Sequence, residues 1–306
     1  MSDPMHMQLK LTQSPGPIYQ ALTEGLSEWF AEYTEVSIPE SRYDFWGRYT
    51  PDAPTADQGR HPLQTARLNQ ALQYGWLLDD AQTTVRIDLV PQQGRTVVAV
   101  SHHDVNMNHD IGSFTYEDFW FLSLENLRRH LDGKPIMRCD FSRPMVGDIQ
   151  HRLEINAAPA QVYDALLRPE QINRWIASAA TVEARVGGVY GLGWEGFPPA
   201  RILELVPDER LRLEWPDEKK STTVTWTLEG SGGKTRLTIL HSGFAPDEPT
   251  GGLGAGWLNF INWVRSLVEY GAEWQPPIKK LTAGMEPYYA NSIGRAQGEL
   301  IAVEPI

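Results

Sequence analysis

Basic residues are scarce: 27 Lys and Arg stand against 39 Asp and Glu in 306 residues, a formal net charge of −12. No Lys/Arg run of the kind that tracks a phosphate backbone occurs, so neither nucleic acid nor an anionic membrane surface is an expected partner. Cysteine is nearly missing. Cys139 alone forms no intrachain disulfide and suits a reducing compartment. No stretch approaches the roughly 18 apolar residues of a spanning helix, and the N-terminus lacks the charged-then-apolar pattern of a signal peptide. Membrane insertion is therefore not expected, and a soluble cytoplasmic protein is. No serine has a nucleophile-elbow context, and the glycines from Gly251 to Gly256 lack the strand-before, helix-after setting of a phosphate loop.

Tryptophan, by contrast, is abundant. Each indole buries about 150–250 Å², worth roughly 4–6 kcal/mol at about 25 cal/mol/Å². Most of the eleven must therefore be core or pocket wall.

The chain also repeats itself. Val85, Ile87 and Leu89 align with Val224, Trp226 and Leu228 at an offset of 139, which also carries Trp76 onto Trp215, Thr96 onto Thr235 and His102 onto His241. Phe121, Leu124, Leu127 and Leu131 match Leu258, Ile261, Val264 and Val268 at an offset of 137. Leu9, Leu11, Pro15, Ile18, Tyr19, Ala21 and Leu22 match Leu153, Ile155, Pro159, Val162, Tyr163, Ala165 and Leu166 at an offset of 144. The period is that of a whole domain rather than a solenoid unit. The expected division is residues 1–133, a linker at 134–147, residues 148–271, and a C-terminal tail at 272–306 whose end, Glu299 to Val303, has strand character.

Within each copy the patterns predict a strand, two short helices entered near prolines, a curved antiparallel sheet of about five or six strands and a long closing helix, an α+β domain. In the second copy the strands fall around Val189 to Trp194, Ala200 to Val206, Arg210 to Trp215, Thr222 to Leu228 and Thr235 to His241. The stretch before Trp257 reads as a Pro/Gly loop and Trp257 to Tyr270 as the helix, stopped by Gly271.

The second copy resembles the family of activators of the heat-shock-protein-90 ATPase, within the START-like (SRPBCC, helix-grip) superfamily that includes the birch-pollen allergen and the polyketide cyclases. The resemblance lies in Ala158-Pro159-Ala160-Gln161-Val162-Tyr163-Asp164-Ala165-Leu166, in Trp175, in Gly187-Gly188-Val189-Tyr190, in the strands Ile202 to Pro207 and Leu211 to Trp215, and in Thr235 to Phe244 ending His-Ser-Gly-Phe. It implies two tandem helix-grip domains, each with a curved sheet wrapped around its long C-terminal helix and room for a cavity between them. The first copy keeps the opening, Trp29, Trp76 and His102, but has Asp104-Val105 in place of Gly243-Phe244 and a longer polar insertion after Tyr49. The family name also suggests Hsp90 as a partner, by analogy alone.

A small apolar or amphipathic ligand in the second domain would be walled by Tyr190, Trp194, Trp215, Trp226, His241, Phe260, Trp263, Val264 and Leu267. His241 is the candidate base of a cyclase- or hydrolase-type enzyme; the plainer reading is a histidine satisfied by a backbone carbonyl at the sheet edge. No second group completes an acid–base pair. His102 to Asp110 crowds five possible metal ligands into nine residues, but in no zinc spacing, so neither a metal nor a cofactor is expected. Regular pairing puts Glu195 on the face opposite Trp194, and Glu204 and Glu214 on a solvated outer face.

Overall fold

The structure, a computed structural model, describes residues 4–106, 115–216, 220–283 and 286–290. The first half runs β1 (Met5–Leu11), α1 (Pro15–Thr23), α2 (Leu26–Trp29), β2 (Tyr33–Ser37), β3 (Arg42–Trp46), β4 (Leu63–Arg67), β5 (Ala71–Leu78), β6 (Ala81–Gln92), β7 (Arg95–His103) and α3 (Tyr116–Leu131). The second runs β8 (Ile149–Ile155), α4 (Pro159–Leu167), α5 (Pro169–Trp175), β9 (Thr181–Val182), β10 (Val189–Gly191), β11 (Ala200–Val206), β12 (Arg210–Trp215), β13 (Thr222–Ser231), β14 (Lys234–Ser242) and α6 (Gly251–Tyr270). After a 3-10 turn, β15 (Ile278–Ala283) and β16 (Glu286–Ala290) follow.

Each half is an α+β helix-grip unit. The sheets are antiparallel, in the orders β16-β15-β1-β7-β6-β5-β4 and β8-β14-β13-β12-β11-β10-β9, with β2-β3 a separate pair. The repeat extends to register: Val85 faces His102 as Val224 faces His241, and Trp76 faces Thr83 as Trp215 faces Thr222. Both sheets slip register at matching places, between Leu63 and Thr65 and between Ile202 and Glu204. Such a bulge bends the strand and deepens the twist, as a sheet that must wrap a helix requires.

Three side-chain anchors recur as well. Trp29 and Trp175 donate from Nε1 to the carbonyls of Ala21 and Ala165. Tyr43 and Tyr190 donate to those of Leu22 and Leu166, and Thr96 and Thr235 to those of Gln13 and Ala157.

Helix α3 is specified locally. Thr115 caps it by accepting from the Asp118 N–H at 2.9 Å, with Glu117 and Asp118 in the first turn and Arg128, Arg129 and His130 in the last, as the helix dipole favours. Helix α6 starts earlier than its sequence suggests. Gly251 to Gly256 are helical, because the turn is supported from outside: His151 Nε2 lies 2.8 Å from the Gly254 carbonyl. A Cβ on Gly254 would stand 2.8 Å from Met145 Sδ, so glycine here permits close packing.

The tail also differs from expectation. β15 pairs antiparallel with β1, extending the first sheet, while Glu299 to Val303 lie outside the described residues. The return path is held by Arg174 on the Gly271 carbonyl at 2.6 Å and by Arg128 on the Gln275 carbonyl at 2.7 Å.

The two long helices pack against each other. Arg129 and Ser266, equivalent at the 137 offset, touch through Nη1 and Oγ at 3.0 Å. Buried Arg129 also donates to the Pro135 carbonyl at 2.6 Å and pairs with buried Glu269 at 2.9 Å. Burial would raise the Glu269 carboxyl; the Asn156 N–H and the charge of Arg129 outweigh it and hold it below its usual range.

Candidate functional site

His241 sits in a closed network. Trp257 donates from Nε1 to its Nδ1 at 2.9 Å, and its Nε2 is 2.7 Å from Thr222 Oγ1. An indole N–H only donates, so Nδ1 accepts and the ring proton resides on Nε2, directed at the threonine. The first half repeats this with His102, Thr83 at 2.9 Å and Trp120 at 3.2 Å. Burial, with His103 adding to it, pushes His102 down to about 3, so that ring is neutral. Both histidines are 1% exposed or less. Local partners do satisfy them, but these are a threonine and an indole rather than a backbone carbonyl. The one nitrogen of His241 able to act as a base is already accepting.

The other expected wall residues separate into three groups. Tyr190, Trp215, Trp226, Val264 and Leu267 are buried with His241. The rings there pack on one another: Trp215 on Trp257 with centroids 5.2 Å apart, Trp226 on Trp257 at 5.8 Å, and Trp226 on Trp175 at 6.0 Å. Trp263 faces away from this group, against Phe121 of α3 at 5.5 Å and Trp274 at 6.4 Å. Trp194 and Phe260 are half-buried and stack at 6.4 Å with 29° between ring planes.

That stack forms one wall of an open cleft of about 690 Å³. Its remaining lining comes from Ser178, Gly193, Glu195, Gly256 and Asn259 of the second half and from Asp118 of the first. β10 stops at Gly191 instead of running on to Trp194. Gly193 has φ +70°, and a Cβ there would meet the Ala179 backbone nitrogen at 2.7 Å, so the chain turns at a position that suits only glycine. The turn brings Glu195 to the same cleft as Trp194, not to the opposite face. Glu204 meets the solvated-face expectation and pairs with Arg210 at 3.0 Å.

Asp118 and Asn259 join the halves here. Asn259 Nδ2 donates to the Asp118 carbonyl at 3.0 Å and lies 3.4 Å from its Oδ1. Burial, helped by Glu117, raises the Asp118 carboxyl to about 6, against the opposing effects of Thr115, Asn259 and Lys279. Neither residue stands out in the sequence as a site residue: Asp118 reads as the third residue of a capping box, and Asn259 as a polar position on the far side of an amphipathic helix.

Among the described residues, no group of three or more His, Cys, Asp or Glu is placed to hold a metal. Of the segment from His102 to Asp110, residues 107–110 lie outside the described residues. Cys139 is buried, which pushes its thiol up to about 12. No helix of the described residues is long and apolar enough to cross a membrane.

Residues 156–269 match the family described as activator of Hsp90 ATPase homolog 1-like protein. The match lies wholly within the second half. Solved structures similar to the chain include the Aha1 dimer from Colwellia psychrerythraea, at 20% identity over 42% of this chain and 99% of that one, TM-score 0.38. CalU16 from Micromonospora echinospora is 26% identical over 40% of this chain and 73% of its own, TM-score 0.35. An HSP90 activator from Plasmodium falciparum is 18% identical over 40% and 96%, TM-score 0.36. No curated protein matches the chain in sequence. Trp194, Phe260, Asn259 and both glycines of the cleft fall inside the matched residues, whereas Asp118 does not.

Proposed function

We propose that this protein binds a small amphipathic molecule in the cleft at the mouth of its second half, with the Trp194–Phe260 stack as the apolar wall. The observation that carries the reading is a half-buried aromatic pair beside an opening of about 690 Å³, the size range of small-molecule sites. Buried rings deeper in the domain, His241 included, act as the rigid backing of the wall. We further take residues 1–133 and 148–271 as two domains of a cytoplasmic protein, the linker and tail both folding back on the first.

The test is titration with Nile red, a neutral apolar dye. Saturable, blue-shifted emission is expected, and it should be lost in Gly256→Leu. Nothing lies within 4 Å of a Cβ at Gly256, so the leucine enters the cleft without a clash at its base. Absence of saturable binding, or binding indifferent to that substitution, would overturn the proposal. The family match supports a second reading, association with an Hsp90-type chaperone. Pull-downs that never enrich Hsp90 would count against it.

A further inference from the structure

We propose that the cleft selects an organic cation, an ammonium or similar donor-only head group carried on an aromatic or short alkyl body. This deepens the binding reading above and rests on it. The inference comes from what the lining offers a ligand. Two carboxylates, Asp118 and Glu195, border the opening from opposite halves. Asn259, only 3% exposed, is committed as a donor to Asp118 and offers the cleft no free N–H. Its amide orientation is set from the other side, because Nδ2 must face the Asp118 carbonyl and carboxylate. A flipped amide would put oxygen against oxygen.

The side-chain donors of the lining are already committed. Trp194 Nε1 donates to the Ile176 carbonyl at 2.8 Å. Ser178 directs its hydroxyl proton at the Gly193 carbonyl, leaving only oxygen lone pairs. The cleft therefore presents carboxylate and hydroxyl oxygens, negative charge and two stacked π faces. A donor-only cationic head group is matched to the two carboxylates by charge and by hydrogen-bond direction. A cation over an indole face gains further. An anionic or acceptor-rich ligand meets repulsion from both carboxylates instead.

Three ligands sharing one body separate the claims: 4-phenylbutylamine, 4-phenylbutan-1-ol and 4-phenylbutyrate, titrated calorimetrically into the full chain at pH 7.5 in about 0.15 M salt, where distant charge is screened. The amine should bind about ten-fold or more tighter than the alcohol, and the acid weakest of the three. Exposed Glu195→Gln should weaken the amine about three-fold or more and leave the alcohol unchanged. An alcohol that binds as tightly as the amine sinks the cation claim while leaving the cleft as a site. Failure of all three to bind removes both. Amine binding that survives Gly256→Leu would be attraction to the acidic surface at large, and would also overturn the assignment.

Discussion

In the first half the connection from β3 to β4, residues 47–62, folds inward, and Asp52 ties it down by accepting from the Asp79 N–H at 2.9 Å and the Tyr116 hydroxyl at 3.0 Å. His61 is 1% exposed and lies over Phe45 with ring centroids 3.8 Å apart, and Phe45 in turn meets Trp76 at 5.1 Å. Between sheet and helix lies a cavity of about 10 Å³, space for one water at most. The second half keeps the same Thr–His–Trp network, the same anchors and the same bulge, yet its shorter connection, 192–199, leaves Trp194 at the rim. The two halves therefore share one framework and differ in this loop.

Three sets of substitutions and one titration test that comparison, and the largest effect belongs to the helix seam. Arg129 is charged where its repeat partner Ser266 is small, and it holds buried Glu269 at 2.9 Å. Arg129→Ala should destabilise the chain by about 3–5 kcal/mol in urea unfolding, because a buried carboxylate loses its main partner. Ser266→Ala should cost about 1 kcal/mol or less. Equal losses would mean that the seam does not depend on the charge.

Next come the two histidines. If both serve packing, His102→Ala and His241→Ala should each cost about 2–4 kcal/mol, from a cavity plus an indole N–H left without its acceptor. Near-equality between the halves is the expected result. A His241 variant of undiminished stability that loses a measurable turnover would revive the base assignment.

The carboxyl at the junction titrates in a different window. Asp118 is raised from its ordinary 3.8 to about 6 by burial. The native state therefore holds a proton that the unfolded chain releases, and this contribution to stability, on the order of 2 kcal/mol, is complete below about pH 4 and lost as pH rises through about 6. Asp118→Asn should flatten that segment of the stability–pH curve. Glu117 and Lys279 are among the charges that face it. A slope that persists in the asparagine variant would assign it elsewhere.

Much of this was legible beforehand, because it rests on local signals. Alternation marked strands in both halves, and the constant offsets aligned one copy with the other. The three-and-four spacing from Trp257 marked the closing helix. Its first turns were not legible, since six residues from Gly251 to Gly256 that include four glycines have poor helix propensity and are helical only through contacts with Met145 and His151. Pairing of β15 with β1 joins residues some 270 positions apart, which no window along the chain reveals. Of the nine expected wall residues, Trp194 and Phe260 line the cleft, and its polar rim is not legible in the sequence. Asp118 reaches it from the other repeat, and Glu195 only because Gly193 turns the chain.

The smallest effect concerns the loop that distinguishes the halves. Asp52 accepts from the backbone of one turn and the hydroxyl that begins α3, so Asp52→Ala should cost only about 1–2 kcal/mol. Its value is in the second readout. With Gly256→Leu blocking the second cleft, any dye bound by the double variant must enter elsewhere, and release of 47–62 should expose the rings of Phe45 and Trp76 that His61 covers. New saturable Nile red binding in the double variant, absent from Gly256→Leu alone, would show that the first half is a closed version of the second. No new binding despite the expected loss of stability would mean that the first half is filled by its own side chains, and that the loop lies over a solid interior.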